Sequence, residues 1–244
     1  MRRAFRIVAG VLGVASIGLS LPFAIGSLLS ETDAIHRFHF FSGAVGYGVL
    51  LGVSLLACAW RPELIGPFWV AVATGVASTL AGIVSGDFIS GVWFPAPIAI
   101  VVLFLLHPAR DAVLDIAGVD VPATVLALAA LVPASAYALT QAELQRNGVP
   151  ADPHVEFHHY SGMAAYVFAV PLAAFAGALR VPGRRVAVWI VGVATAGLAV
   201  SSLLLSDYVS AFDPLWAWLA LVWAVAYVGV AEVAARRRER LVVA

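Results

Sequence analysis

Lysine is missing from this sequence of 244 residues, because all fourteen of its basic residues are arginine. The chain therefore has no residue for a retinal Schiff base or for the lysine of a phosphate-binding P-loop. The single cysteine, Cys58, excludes a disulfide within one chain. Charged residues make up 11% of the chain and the formal net charge is zero, so we expect no basic surface for nucleic acid.

The sequence is rich in long apolar stretches. Hydrophobic residues make up 62% of the chain and the mean hydropathy is +0.98, which predicts an all-α integral membrane protein. Most of its apolar stretches approach the roughly 20 residues that cross about 30 Å of hydrocarbon. We predict eight transmembrane helices, within residues 7–29, 38–60, 66–86, 92–107, 121–141, 158–179, 185–205 and 213–234.

The sequence also contains an internal repeat. Residues 38–43, Phe-His-Phe-Phe-Ser-Gly, return as Phe-His-His-Tyr-Ser-Gly at residues 157–162, and a tyrosine follows each copy at the same distance. Four helices per copy predict two repeats of the same orientation, related by a pseudo-twofold axis along the membrane normal. The expected organisation is a first four-helix repeat at 1–107, a cytoplasmic linker at 108–120 and a second four-helix repeat at 121–244.

The arginines predict how this bundle lies in the membrane. All of them except Arg37 and Arg146 fall on one side of an eight-helix arrangement. By the positive-inside rule that side is cytoplasmic, so we expect a multi-pass plasma membrane protein with cytoplasmic N- and C-termini. The lipid bilayer is the expected partner. Further membrane subunits or a second copy of the chain are possible additional partners. The Ala/Val-rich, lysine-free composition is typical of a GC-rich prokaryote.

Five of the six histidines fall on the predicted external face, which indicates a metal site. Imidazole binds copper, iron and zinc, and nearby carboxylates complete or orient such ligand shells. Asp33 and Asp152 are further acidic neighbours that could complete the shell or orient the rings. The candidate metal ligands are His36, His39, His154, His158, His159, Glu156, Asp87 and Asp207.

The duplicated pair His39 and His158 permits a second cofactor, because two histidines facing each other across the axis could be the axial ligands of one haem b. The element Asp33-Ala-Ile-His36-Arg37 resembles the acid-x-x-His-Arg element of haem A synthases, whose architecture is also two four-helix halves. That resemblance is an analogy of architecture, an eight-helix bundle built from two halves. The element is not repeated in the second half, and the further histidines of that family's fourth and eighth helices are absent.

These patterns leave several functions open. The leading prediction is an external-face metal or haem site in an oxidoreductase, another metal-dependent enzyme or an electron-transfer subunit. A small cation- or proton-coupled transporter is the alternative, although the helix interiors carry few polar residues beyond Ser, Thr and Gly. A third interpretation is an accessory subunit of a larger membrane complex. The structural interpretation of the same residues is that interfacial histidines only pack and that Asp87 and Asp207 mark turns.

Overall fold

The computed structural model of this protein describes residues 1–29, 34–88 and 95–243, and this part of the chain is helical without a β-strand. Its principal helices are α1 (Arg2–Leu29), α2 (Arg37–Trp60), α3 (Ile65–Ser85), α4 (Pro95–Leu106), α5 (Val121–Asn147), α6 (His159–Ala178), α7 (Arg184–Leu204) and α8 (Pro214–Val243). Short helical segments at Ala34–His36, Arg110–Val113 and Pro153–Glu156 lie between them.

Seven of the helices in the described residues are long and apolar enough to cross a membrane, as expected for a multi-pass membrane protein. The exception is α4, whose 12 residues span about 18 Å at 1.5 Å per residue. The predicted stretch at 92–107 begins in residues 89–94, which lie outside the described part of the chain. A helical membrane protein is therefore confirmed, whereas the eighth span stays a prediction.

Helix α6 lies at the centre of the bundle. Within its apolar span 78% of the residues are buried, compared with 17% in each of α1 and α5 and 22% in α8. Helices α3, α5 and α7 all pack against α6, and the largest buried hydrophobic cluster joins them. Most of the buried residues of α6 are alanine, glycine or serine, and small side chains let helices approach closely inside a membrane.

Helix α2 contains a π-helical segment, Ala44–Val53, between two α-helical parts. Four glycines along this region face neighbouring helices at short range. A Cβ at Gly46 would lie 2.4 Å from the Tyr166 ring, and one at Gly52 would lie 2.7 Å from Ile17. The glycines therefore let α1 and α6 approach the backbone of α2. The Tyr166 ring also meets Tyr47 edge-on, with the ring centroids 5.0 Å apart.

The two ends of the bundle differ in their polar contacts. At one end, which we call the histidine end, α1, α3, α5 and α7 finish and α2 and α6 begin. At the opposite end the Asp120 carboxylate caps α5 and forms a buried ion pair with Arg184 at 2.9 Å. The Asp120 N–H also bonds to the Ala178 carbonyl. These contacts hold the start of α5 against the turn between α6 and α7.

A glycine substitution tests the close approach of α2 and α6. We expect Gly46→Ala to destabilise the protein by about 1–3 kcal/mol, the usual range for overpacking, because the new methyl group would clash with Tyr166. Gly26→Ala in α1 is the matched control, since a Cβ there meets nothing within 4 Å. Thermal unfolding in detergent measures both variants. Equal melting temperatures for the two variants would contradict this packing.

Candidate functional site

The structure brings four histidines together at the histidine end. They are His36 in the segment before α2, His39 in the first turn of α2, His154 in the segment Pro153–Glu156, and His159 at the start of α6. The two halves of the chain each supply two of the rings. His36, His39 and His154 are buried and His159 is half-buried. We call these four residues the histidine cluster.

The rings of the histidine cluster lie close to one another. The centroid of His36 lies 4.6 Å from that of His159 and 5.2 Å from that of His154. His39 lies 4.9 Å from both His154 and His159 and stacks on the latter with an interplanar angle of 17°. The remaining measured pair, His154 and His159, is 5.9 Å apart. Phe40 and Phe157 pack against His36 and His159 beside the cluster.

A chain of hydrogen bonds holds His39 from α5. The Ser210 hydroxyl donates its proton to Gln141 Oε1 at 2.7 Å, and His39 Nε2 lies 3.2 Å from the same hydroxyl oxygen. Tyr137 on α5 donates to the Ser210 carbonyl. Because the single Ser210 proton is already used, His39 Nε2–H must be the donor and His39 Nδ1 carries the lone pair. Within the described residues this buried Nδ1 finds no hydrogen-bond partner.

A carboxylate holds His154. Asp152 Oδ1 lies 2.9 Å from both the His154 backbone N and Nδ1, and Tyr160 donates to Asp152 Oδ2 at 3.1 Å. His154 Nε2 lies 3.3 Å from the Ile35 carbonyl oxygen. Burial raises the pKa of the Asp152 carboxyl, but these hydrogen bonds outweigh it and lower the pKa below its usual value. Asp152 is therefore an anion that orients one ring of the cluster.

His158 points into a different network from its neighbour His159. Its backbone φ of 57° is left-handed and ends the helical path before α6 begins. His158 Nδ1 lies 3.2 Å from Asp87 Oδ2, and Ser161 donates to the same carboxylate oxygen. The left-handed Gly86 that terminates α3 places Asp87 there. The structure thus joins two predicted site residues, His158 and Asp87, outside the histidine cluster.

Backbone strain is concentrated at these networks. Among the described residues the non-glycine positions with positive φ are His158, at 57°, and Ser210, at 69°. A non-glycine residue in this region costs of the order of 1–3 kcal/mol and persists where its surroundings hold it. Ser210 bonds to His39 and the residue after His158 belongs to the cluster. Both strained residues therefore position rings at the histidine end.

The spacing of the four rings suits one metal ion. Four imidazoles that bind a tetrahedral ion at nitrogen–metal distances of about 2.0–2.1 Å place their centroids about 5 Å apart. For five of the six ring pairs the separations lie between 4.6 and 5.9 Å. Among the described residues no group of three His, Cys, Asp or Glu side chains could hold a metal ion as the side chains are placed. Binding would therefore require the ring nitrogens to turn toward a common point.

The other predicted site residues lie elsewhere. Glu156 and Asp207 are exposed, and the structure does not bring them to the histidine cluster. Asp33 lies outside the described residues. His107, the remaining histidine, is buried at the opposite end between Phe5 and Phe68, and burial lowers its pKa.

The sequence interpretation missed the residues that hold His39. Ser210 lies three residues after the candidate ligand Asp207, and Gln141 lies on an apolar helix. Gln141 and Gln145 are both buried, one turn apart, and Gln145 donates to the Val155 carbonyl beside the cluster. Two glutamines one turn apart on an apolar helix were the sequence signal that could have indicated this network, because each buried amide needs a polar partner.

Comparison of the chain with protein-family models, with curated proteins and with solved structures finds no match. The function is therefore argued from the geometry and chemistry of the site.

Substitution of Asp152 tests its hold on His154. We expect Asp152→Asn to lower the melting temperature at pH 7 by about 2–4 °C, the shift that about 1 kcal/mol produces in a chain of this size. The folded pKa of Asp152 lies below its ordinary value of 3.8, so its stabilising effect is complete above that value and is lost as the pH falls through the folded pKa. Thermal unfolding at pH 7 and at about pH 3 measures the difference.

The control for this variant is Glu156→Gln, which removes an exposed carboxylate four residues away. It should melt like the wild type at both pH values. A difference between Asp152→Asn and wild type that persists undiminished at the acidic pH would contradict a carboxylate role.

Proposed function

We propose that this protein is a multi-pass membrane metalloprotein that binds one transition-metal ion through His36, His39, His154 and His159. The observation that carries the proposal is the proximity of the four rings, because five of their six centroid pairs are 4.6–5.9 Å apart. Because each half of the chain supplies two ligands, the ion would join the beginning of α2 to the beginning of α6. Copper, iron and zinc are the candidate ions, since imidazole is a favourable ligand for all three.

Hydrogen bonds to two of the rings support this function. Ser210 keeps the proton of His39 on Nε2, which leaves His39 Nδ1 with its lone pair. Asp152 contacts His154 Nδ1, and binding of an ion through His154 Nε2 would replace the contact of that nitrogen with the Ile35 carbonyl. A histidine held by an acceptor through one nitrogen while the other binds an ion is the usual arrangement in metal sites.

Four protein ligands favour electron transfer over hydrolysis. A catalytic site that activates water keeps a coordination position open, whereas four imidazoles fill a tetrahedral shell. Copper or iron would supply one-electron chemistry in such a shell, and the protein would supply the ligands, their orientation and a buried environment. We therefore favour a redox subunit whose metal lies near one membrane surface.

The contacts favour a bare ion over haem b. A bis-histidine haem would lie between His39 and His158. His39 instead stacks on His159, with centroids 4.9 Å apart, and His158 Nδ1 faces the Asp87 carboxylate. Transport has less support as well, because Thr74, Ser78 and Thr195 donate to carbonyls one turn back in their own helices. Hydroxyls used in this way do not form a path across the bilayer.

Metal analysis tests the cluster. We expect wild-type protein, incubated separately with Cu²⁺, Fe²⁺ and Zn²⁺ and then desalted, to keep one ion per chain for at least one metal. His39→Gln combined with His159→Gln should weaken binding by more than about 100-fold, because losing two ligands exceeds the roughly 10–100-fold effect of removing a residue that only orients a ligand. Elemental mass spectrometry and competition with a chelator give the stoichiometry and affinity.

The matched control is His158→Gln, which alters a histidine at the same end that bonds to Asp87. It should retain the metal. Absence of stoichiometric metal from the wild type, or equal binding by the double variant, would overturn the proposal. A Soret band that His158→Gln abolishes would establish the haem alternative instead.

We further propose that the histidine end faces outward and that the two halves are related by a pseudo-twofold axis. The excess of arginine at the opposite end supports a cytoplasmic position for that end. The edge-on contact of Tyr47 with Tyr166, equivalent positions in the two copies, supports an axis between α2 and α6. The protein would then lie in the plasma membrane with both termini in the cytoplasm.

Cysteine labelling tests this orientation. The native Cys58 is buried, so a cysteine introduced at exposed Ala151 or at exposed Ala112 would be the reactive thiol. A membrane-impermeant maleimide applied to intact cells should label Ala151→Cys and leave Ala112→Cys unlabelled until the membrane is opened. Wild-type protein measures the background. The reverse labelling pattern would place the histidine end in the cytoplasm.

A further inference from the structure

An apolar groove runs along the bundle surface between α3 and α5. It encloses a cavity of about 260 Å³. Its floor is formed by the buried residues Ala81, Ala142 and Ala164, and the exposed Leu80, Val84 and Leu139 form its rims. The groove exists because α3 and α5 both pack closely on α6 but make few contacts with each other. It lies within three membrane-crossing helices, and therefore opens to the bilayer.

An arginine closes the end of this groove nearest the histidine end. Ser135, Leu139, Ala142 and Arg146 follow one another at spacings of four, three and four residues, so they share one face of α5. Arg146 Nη1 donates to the Val84 carbonyl at 3.2 Å, which places the guanidinium across the mouth of the groove. This described bond uses one of the five N–H donors of the exposed guanidinium.

The length of the groove matches one leaflet of a membrane. The eleven helical steps from Ser135 to Arg146 rise about 16 Å, and half of a hydrocarbon core of about 30 Å is about 15 Å. A chain that entered at Arg146 would therefore reach the bilayer midplane at Ser135. The pattern is an apolar channel of acyl-chain length with a cation at the membrane surface.

We propose that this groove is a binding site for an anionic phospholipid of the surrounding bilayer. One acyl chain lies between α3 and α5, and the phosphate is bound by Arg146. The charge of the guanidinium and its planar pairs of donors suit a phosphate group. The site shares no ligand with the histidine cluster, so it does not depend on the proposed metal function.

Native mass spectrometry of the full chain in detergent tests the proposal, with palmitoyl-oleoyl-phosphatidylglycerol and the corresponding phosphatidylcholine as probes. We expect the wild type to prefer phosphatidylglycerol about fivefold, the ratio that corresponds to about 1 kcal/mol for one basic residue near an anionic lipid. Arg146→Gln should remove this preference, and Arg146→Lys should retain most of it. No preference in the wild type, or an undiminished preference in Arg146→Gln, would overturn the proposal.

Two substitutions of alanine by phenylalanine on α5 test the position of the acyl chain. Ala138→Phe fills the groove and should reduce binding of both phospholipids, whereas Ala136→Phe places the same ring on an exposed position outside it and should not. Gel filtration checks that both variants fold. If Ala138→Phe does not fold, the lipid preference of Arg146→Gln is the deciding measurement. Equal binding by both phenylalanine variants, or an isoprenoid quinone bound in the groove in place of phospholipid, would contradict the assignment.

Discussion

The fixed hydrogen-bonding capacity of imidazole is the constraint on which the histidine end depends. A neutral ring offers one donor and one acceptor, and a buried polar atom without a partner is costly. The structure assigns the donor of His39 to Ser210, whereas His154 lies between two acceptors, Asp152 and the Ile35 carbonyl. Ser210 and Ile35 reach these rings from distant parts of the chain, and Asp152 lies two residues before His154. The loops that carry Ser210 and Asp152 are therefore held in place by the same bonds that set the state of the rings.

The two copies of the duplicated motif use their histidines differently. His158 is the sequence equivalent of His39, yet the ring that joins the cluster from the second copy is His159, the equivalent of Phe40. The cause is the left-handed backbone at His158, whereas His39 lies inside a helix that begins at Arg37. The ring that enters the cluster from the second copy is therefore one position further along the motif. Phe40 and His159, which occupy equivalent positions, meet edge-on with their centroids 5.6 Å apart. A repeated sequence thus produces an asymmetric site.

Apolar length was enough to predict the long helices, and the arrangement of helix ends was enough to predict that most of the histidines meet at one end. The exact helix boundaries and the hydrogen bonds between loops and helices could not be predicted in this way. The span predicted from residue 158 begins one residue later, at His159, and hydropathy cannot show a break of that size. Likewise, the pairing of Ser210 with Gln141 depends on the strained loop before α8. The carboxylates Glu156 and Asp207 had suitable chemistry, but their exposed positions follow from loop paths that spacing does not encode.

The central position of α6 has a consequence for how the chain is made. Helix α3 packs chiefly against α6, and α2 approaches it through Gly46, yet α6 leaves the ribosome after five other principal helices. The early helices therefore enter the bilayer with their inward faces still covered by lipid. Those faces are lined by glycine, alanine and hydroxyl groups that bond within their own helices. Such groups are tolerated in contact with lipid until α6 has been inserted. The central helix of this protein is thus inserted only after five of the helices around it.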